Sequence, residues 1–433
     1  MKRVVIVGAD FSPSSLPPAT RIRFFAKHLP SFGWHPVVLT TDPHYYQSTI
    51  DPENEKLLPQ SLEVVRTGAL PVSITRKFGI TDIGMRTLWH HWRALSRLHA
   101  QEKIDVVLIP VPPSVPMVLG RLAHMRFGTP YVIDYIDPWV TDYYWNLARK
   151  DRPPKWLMSY ALSRCLEPFA LRRAKHITGV SSGTTSQVVN RYRWLTECDA
   201  TEIPYGAEAD DFEYLRTHPR ENRIFDPHDG KFHLCSVGAY VESMEDTLRA
   251  LFSAFRLGLE RSPRAFEKTV MHFVGTTYST NGSDPFRVKA VARTCGVEDF
   301  VSEHPTRVPY LDSLQVMLDA DVLCLLGSAE PHYSASKVFP YLLAQRPLLA
   351  IFHEDSNVVS TLRNVSGNVV LTFNAEKGPL EHRDEIFERL KTLIESPRQE
   401  RPRLNWEALE PYSTNMMAKQ LAHALDLAVG SSS

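Results

Sequence analysis

The chain has 433 residues and carries 49 acidic and 49 basic side chains, so it is too long for one hydrophobic core and has no global field to draw it to nucleic acid or a membrane. Its 43% hydrophobic and 23% charged content excludes a disordered or collagen-like chain, and no apolar run approaches the roughly 18 residues of a membrane span. A strand-like run opens the chain with no signal-peptide pattern, which sets the expectation of a cytoplasmic protein. Cys165, Cys198, Cys235, Cys295 and Cys324 are scattered, without zinc or redox spacing.

Along the chain, β-branched and apolar runs alternate with helix-length segments. In the first half the runs fall at 4–9, 36–41, 63–68, 106–110, 131–136, 177–181 and 201–204. In the second half they fall at 232–238, 270–275, 300–304, 322–326, 348–352 and 369–373. Apolar strands separated by helices predict parallel sheets covered on both faces. The most loop-like of the long gaps, 204–231, holds Gly206 and Pro227-His228-Asp229-Gly230 and places a domain boundary there. The expected division is 1–212 and 213–410, with a last helix within 411–430 packing back on the first domain. Both halves open on a strand, a glycine (Gly8, Gly238), a loop and a helix, which points to two doubly wound domains facing each other across a cleft.

Open α/β sheets take ligands beyond the carboxyl ends of their strands, and four places there draw notice. Arg21 and Arg23 follow a proline-rich loop after the first strand; each is either surface or a grip for a ligand phosphate. Asp134 and Asp137 end the fifth run and are candidates for a base or a clamp on a ligand hydroxyl. For Asp137 the alternative is the N-cap of a helix starting at Pro138. Gly238 follows the first strand of the second half. Last, the loop from Glu330 to Ser336 leads into a helix ended by Pro347. Ser334 and Ser336 can cap that helix, Lys337 adds a positive charge, and its N-terminus suits a phosphate. Glu330 and His332 lie on the lip of the same loop.

Pro17-Pro18-Ala19-Thr20-Arg21, Gly33-Trp34-His35-Pro36, Asp134-Tyr135-Ile136-Asp137-Pro138-Trp139, Ile203-Pro204-Tyr205-Gly206-Ala207 and Ser336-Lys337 to Ala344 follow in an order that resembles the retaining glycosyltransferases of family 4, of the surface-polysaccharide type. The resemblance covers most of the chain. It implies the two-domain GT-B fold, a nucleotide-sugar co-substrate, no cofactor and no metal. It also implies a glycan or lipid-linked acceptor held by the first domain. Lys337 would then stabilise the departing diphosphate, with Asp134 and Asp137 as further catalytic candidates. Gly238, Glu330, His332, Ser334, Ser336 and Tyr341 would line the donor site. Two departures from the family pattern stand out. Pro340 occupies a position where many members carry a ribose-binding glutamate, and the loop after Gly238 (Ala239-Tyr240-Val241-Glu242-Ser243-Met244-Glu245) has no arginine or lysine. They leave open a protein of this fold that binds without transferring; a sugar-nucleotide epimerase of the same fold is a third reading.

Two stretches are locally basic. Arg76, Lys77, Arg86, Arg93 and Arg97 face Asp82 alone, and eight basic residues between Arg149 and Lys175 face Asp151 and Glu167. They are either solvated helix faces or a peripheral contact with an anionic bilayer presenting a lipid-linked acceptor. No nucleic-acid motif is present. The 17 histidines show no ligand spacing, and His90-His91 would point apart on a helix.

Overall fold

The computed structural model describes residues 1–141, 145, 149, 152, 156–196, 199–277, 287–328, 338–366, 370–396 and 402–430. The chain divides into two compact units, Met1–Gly206 with Thr414–Ser433, and Ala207–Ser413.

In the first unit, β1 (Lys2–Val7), β2 (Trp34–Thr41), β3 (Glu63–Thr67), β4 (Val106–Val111), β5 (Tyr131–Tyr135), β6 (His176–Gly179) and β7 (Ala200–Glu202) form one parallel sheet. Their order is β3-β2-β1-β4-β5-β6-β7. Val4, Val5, Ile6 and Val7 are all fully buried, as are Val106 to Ile109, because helices cover both faces of the sheet. Each such side chain contributes roughly 1.5–3 kcal/mol by leaving water, so two-sided burial holds these strands more than local propensity does. The chain runs outward from β1 to β3 and then returns to β4 on the other side of β1. The carboxyl ends of β1 and β4 therefore flank the point where the winding reverses, the usual ligand crevice of such sheets.

Helix α1 (Pro17–His28) starts on two prolines, and the last helix, Thr414–Gly430, packs beside it. Met417, Leu421, Leu425 and Ala428 share a buried cluster with Ile22, Phe25, Val106 and Val132. Lys2 pairs with Asp426 at 2.7 Å, and Thr414 Oγ1 lies 3.1 Å from His28 Nε2.

The second unit repeats the plan. Strands β8 (Phe232–Val237), β9 (Thr269–Val274), β10 (Val301–His304), β11 (Val322–Leu326), β12 (Leu348–His353) and β13 (Val370–Phe373) pair in parallel in the order β10-β9-β8-β11-β12-β13. Here the winding reverses between β8 and β11. The unit begins at Ala207, not at residue 213. The segment Ala209–Thr217 is a helix bound within the second unit: the Tyr310 hydroxyl donates to Asp211 at 2.8 Å, and Arg216 donates to the Leu343 carbonyl at 3.0 Å. At its other end the unit extends to Ser413, since the Ala207 N–H donates to the Tyr412 carbonyl at 3.0 Å.

Candidate functional site

At the reversal point of the first sheet lies a cavity of about 600 Å³, lined from the ends of three strands. Asp10 comes from the loop after β1, Pro112 and Pro113 from the loop after β4, and Ile136 and Asp137 from the loop after β5. The N-terminal ends of α1 (Leu16, Pro17, Pro18) and of helix α2, Ile83–Gln101, complete the wall with Gln47 and Ser48. The size suits a small molecule.

Asp10 is the most perturbed carboxylate there. It is 6% exposed, and the Ser48 hydroxyl 3.4 Å away is the hydrogen-bond partner of its Oδ1. Desolvation pushes its pKa up to about 6, opposed by Ser48 and Arg86 and reinforced by Asp82. Asp82 caps α2 by accepting the Met85 N–H at 2.8 Å, and desolvation pushes its carboxyl upward too. Arg86 is buried and donates to the carbonyls of Leu70 (2.8 Å) and Tyr45 (3.1 Å). The loop bearing Asp10 is pinned by Tyr46, whose hydroxyl accepts the Phe11 N–H at 3.0 Å and donates to the Thr41 carbonyl at 2.9 Å. Asp137 stands exposed at the rim, where neighbouring walls raise its pKa by desolvation. No helix begins at Pro138, so Asp137 is not a helix cap.

Three other acceptor-side candidates are interior groups. Asp134 is fully buried and accepts from Arg21 Nε (2.7 Å), Arg21 Nη2 (2.8 Å) and Thr178 Oγ1 (2.6 Å). Asp134 lies inside β5 opposite Thr178 of β6, and α1 brings Arg21 onto the same face. The Arg21 guanidinium also sits over Phe25 (4.8 Å) and Tyr205 (5.3 Å). Arg23, 2% exposed, lies over Phe24 at 4.7 Å. The expectation that Asp134 meets substrate, and that Arg21 or Arg23 grips an acceptor phosphate, is corrected accordingly: Arg21 and Asp134 tie α1 to the sheet inside the unit, and Arg23 is buried. Asp10, Ser48 and Asp82 were not singled out by sequence. Asp10 carried the same signal as Asp137, an acidic residue just past a strand's carboxyl end.

In the second unit, Gly238 follows β8 with φ 136°, a conformation that favours glycine, and its N–H donates to the Val274 carbonyl at 2.7 Å. Tyr341 sits in the short helix Val338–Ala344, 2% exposed. Its hydroxyl accepts the Val237 N–H at 2.6 Å and donates to the Val237 carbonyl at 3.2 Å, so it fastens this helix to the end of β8 and is not free for a donor. Glu330, His332, Ser334, Ser336 and Lys337 lie outside the described residues. Helix Glu245–Arg261, which follows the Gly238 loop, has Glu245 and Asp246 in its first turn, opposite to what a diphosphate needs.

Of the basic stretches, Arg86 is buried while Arg76, Lys77, Arg93, Arg97, Arg164, Arg172 and Arg173 are exposed. Ile74, Phe78, Trp89, Leu157 and Met158 are exposed among them. Among the described residues no cluster of three or more acidic, histidine or cysteine side chains could hold a metal, and no helix is long and apolar enough to cross a membrane.

Residues 18–200 match the family "Glycosyl transferase 4-like domain". Solved structures extend the likeness to the whole chain. Anabaena HepE in complex with UDP and glucose is 11% identical, with 98% of this chain and 100% of that one covered at a TM-score of 0.57. A glycosyltransferase from Rickettsia africae is 14% identical, with 100% and 99% covered at 0.56. An α,α-trehalose-phosphate synthase from Burkholderia xenovorans, in complex with glucose-6-phosphate, is 12% identical, with 98% and 100% covered at 0.56. At such identities the likeness shows the fold: two Rossmann-like domains of the GT-B kind. No curated protein matches the chain by sequence.

Proposed function

We propose that this protein is a glycosyltransferase that moves a sugar from a nucleotide-sugar donor, bound by the second unit, to an acceptor bound by the first. The observation that carries the reading is the glycosyl transferase 4-like domain at 18–200 enclosing a small-molecule cavity at its sheet's reversal point. In the second unit the corresponding reversal, between β8 and β11, is where a nucleotide diphosphate fits the general rule for open sheets. Transfer with retention of configuration, without metal or cofactor, rests on the resemblance to family 4. Lys337, with Ser334 and Ser336, is the proposed group for the charge on the leaving diphosphate. A lipid-linked glycan of surface-polysaccharide synthesis is the proposed acceptor, reached from a cytoplasmic membrane face. Exposed Ile74 and Phe78 beside Arg76 and Lys77 support a peripheral contact of that kind.

A second reading, a binding protein of this fold without transfer activity, is favoured by the acidic loop and first helical turn after β8. Calorimetric titration with a panel of nucleotide sugars separates the two, followed by assay of donor hydrolysis and transfer. Saturable heat with one donor and release of its nucleotide support transfer, whereas no heat with any donor sinks it.

A further inference from the structure

We propose that the cavity of the first unit selects an uncharged, hydroxyl-rich sugar as acceptor and rejects a phosphorylated one, with Asp10 reading its hydroxyl groups. The inference rests on the transferase reading for its role, but the chemistry comes from the cavity wall. Three carboxylates, Asp10, Asp82 and Asp137, line it, and no lysine, arginine or histidine does among the described lining residues. The two nearby arginines expected to meet an acceptor phosphate, Arg21 and Arg23, are turned into the interior. Arg86, the cation closest in effect to Asp10, spends two of its nitrogens on the carbonyls of Leu70 and Tyr45.

Two helix N-termini reach this wall, and each is unsuited to an anion. Helix N-termini hold phosphate through free N–H groups and a positive dipole end. At α1, Pro17 and Pro18 have no N–H to give. At α2, the Asp82 carboxylate already takes the Met85 N–H and places a negative charge at the dipole end. A phosphate here would meet like charges at close range.

A neutral pyranose meets none of these penalties. Its C–H faces match the walls made by Pro112, Pro113, Ile83 and Ile136, and its hydroxyls can donate to carboxylates. Asp10 is suited to accept them. Among the described residues its Oδ2 has no hydrogen-bond partner, and Oδ1 has only the long contact with Ser48. Burial makes such a carboxylate gain more from a ligand hydroxyl than an exposed one would.

Saturation-transfer NMR and calorimetry on the intact protein, with neutral methyl hexosides and the corresponding hexose 6-phosphates, test the proposal. The expected result is that at least one neutral hexoside binds, tenfold or more tightly than its 6-phosphate. Asp10→Asn should then weaken it by tenfold or more, the range for a hydrogen bond to a charged group. The exposed rim variant Asp137→Asn provides a second reading and should weaken binding by a smaller factor. Equal or tighter binding of a 6-phosphate overturns the proposal. So does neutral-sugar binding unchanged in a folded Asp10→Asn variant. If no neutral hexoside binds while a nucleotide sugar still gives saturable heat, the acceptor inference falls and the transferase reading stands.

Discussion

Breaking the Arg21–Asp134 pair tests whether these charges serve architecture or chemistry. Asp134→Asn keeps the shape of the side chain but removes its charge, leaving the Arg21 guanidinium buried without a counter-ion. Two charge-assisted bonds of 2.7 and 2.8 Å lose strength together, and the Thr178 bond at 2.6 Å changes to a neutral acceptor. Removing one partner of a buried pair costs about 3–5 kcal/mol, because the other charge is left uncompensated. For a unit of this size each kcal/mol lowers the melting temperature by about 2–4 °C, so the thermal transition of the first unit should fall by about 6–20 °C. Replacing both members, Arg21→Met with Asp134→Leu, should recover most of that loss, since apolar residues of similar volume often replace a buried pair without net cost. Scanning calorimetry gives the transitions, and transfer or donor hydrolysis is assayed well below them. The reasoning fails if Asp134→Asn melts like the parent protein, or if it abolishes turnover in a fully folded sample.

Three further outcomes are expected. The Asp10 pKa is raised in the folded state, so the folded protein binds the proton more tightly than the unfolded chain. Stability from this group is therefore present below about pH 4 and lost as pH rises through about 6; Asp10→Asn should raise the melting temperature at pH 7.5 and leave it nearly unchanged at pH 4. Tyr341→Phe strips the bonds that tie helix Val338–Ala344 to Val237 and leaves the Val237 N–H without its buried acceptor. Denaturant unfolding of the second unit should show a loss of about 1–3 kcal/mol, and an unchanged midpoint would refute it. Gly258→Ala would set a methyl 2.2 Å from the Phe266 ring, which is fully buried against Phe255 and Phe387 and has no room to retreat. Overpacking of that kind costs about 1–3 kcal/mol, read as a lower melting temperature of the second unit.

The two-sheet plan was legible in the chain because parallel strands buried on both faces must be nearly continuous apolar runs. Val4–Val7 and Val322–Leu326 announce themselves whatever surrounds them. Their alternation with helix-length segments then leaves a doubly wound sheet as the natural packing. The rule that ligands lie beyond strand carboxyl ends pointed to positions such as that of Asp137, which stands at the cavity rim. What each charged side chain does at such a position was not legible. Asp134, only three residues earlier, is spent inside the first unit because its place in β5 points it to the face where α1 delivers Arg21 and β6 delivers Thr178. Those partners are 113 and 44 residues away along the chain, and no local pattern records them. Asp10 shows the converse: an unremarkable acid after the first strand becomes the buried, perturbed carboxylate of the cavity only because loops carrying Ser48, Asp82 and Pro113 close around it. Periodicity and strand ends are local properties of the sequence, whereas desolvation and ion pairing depend on which distant segments meet, and that meeting exists only in the folded chain.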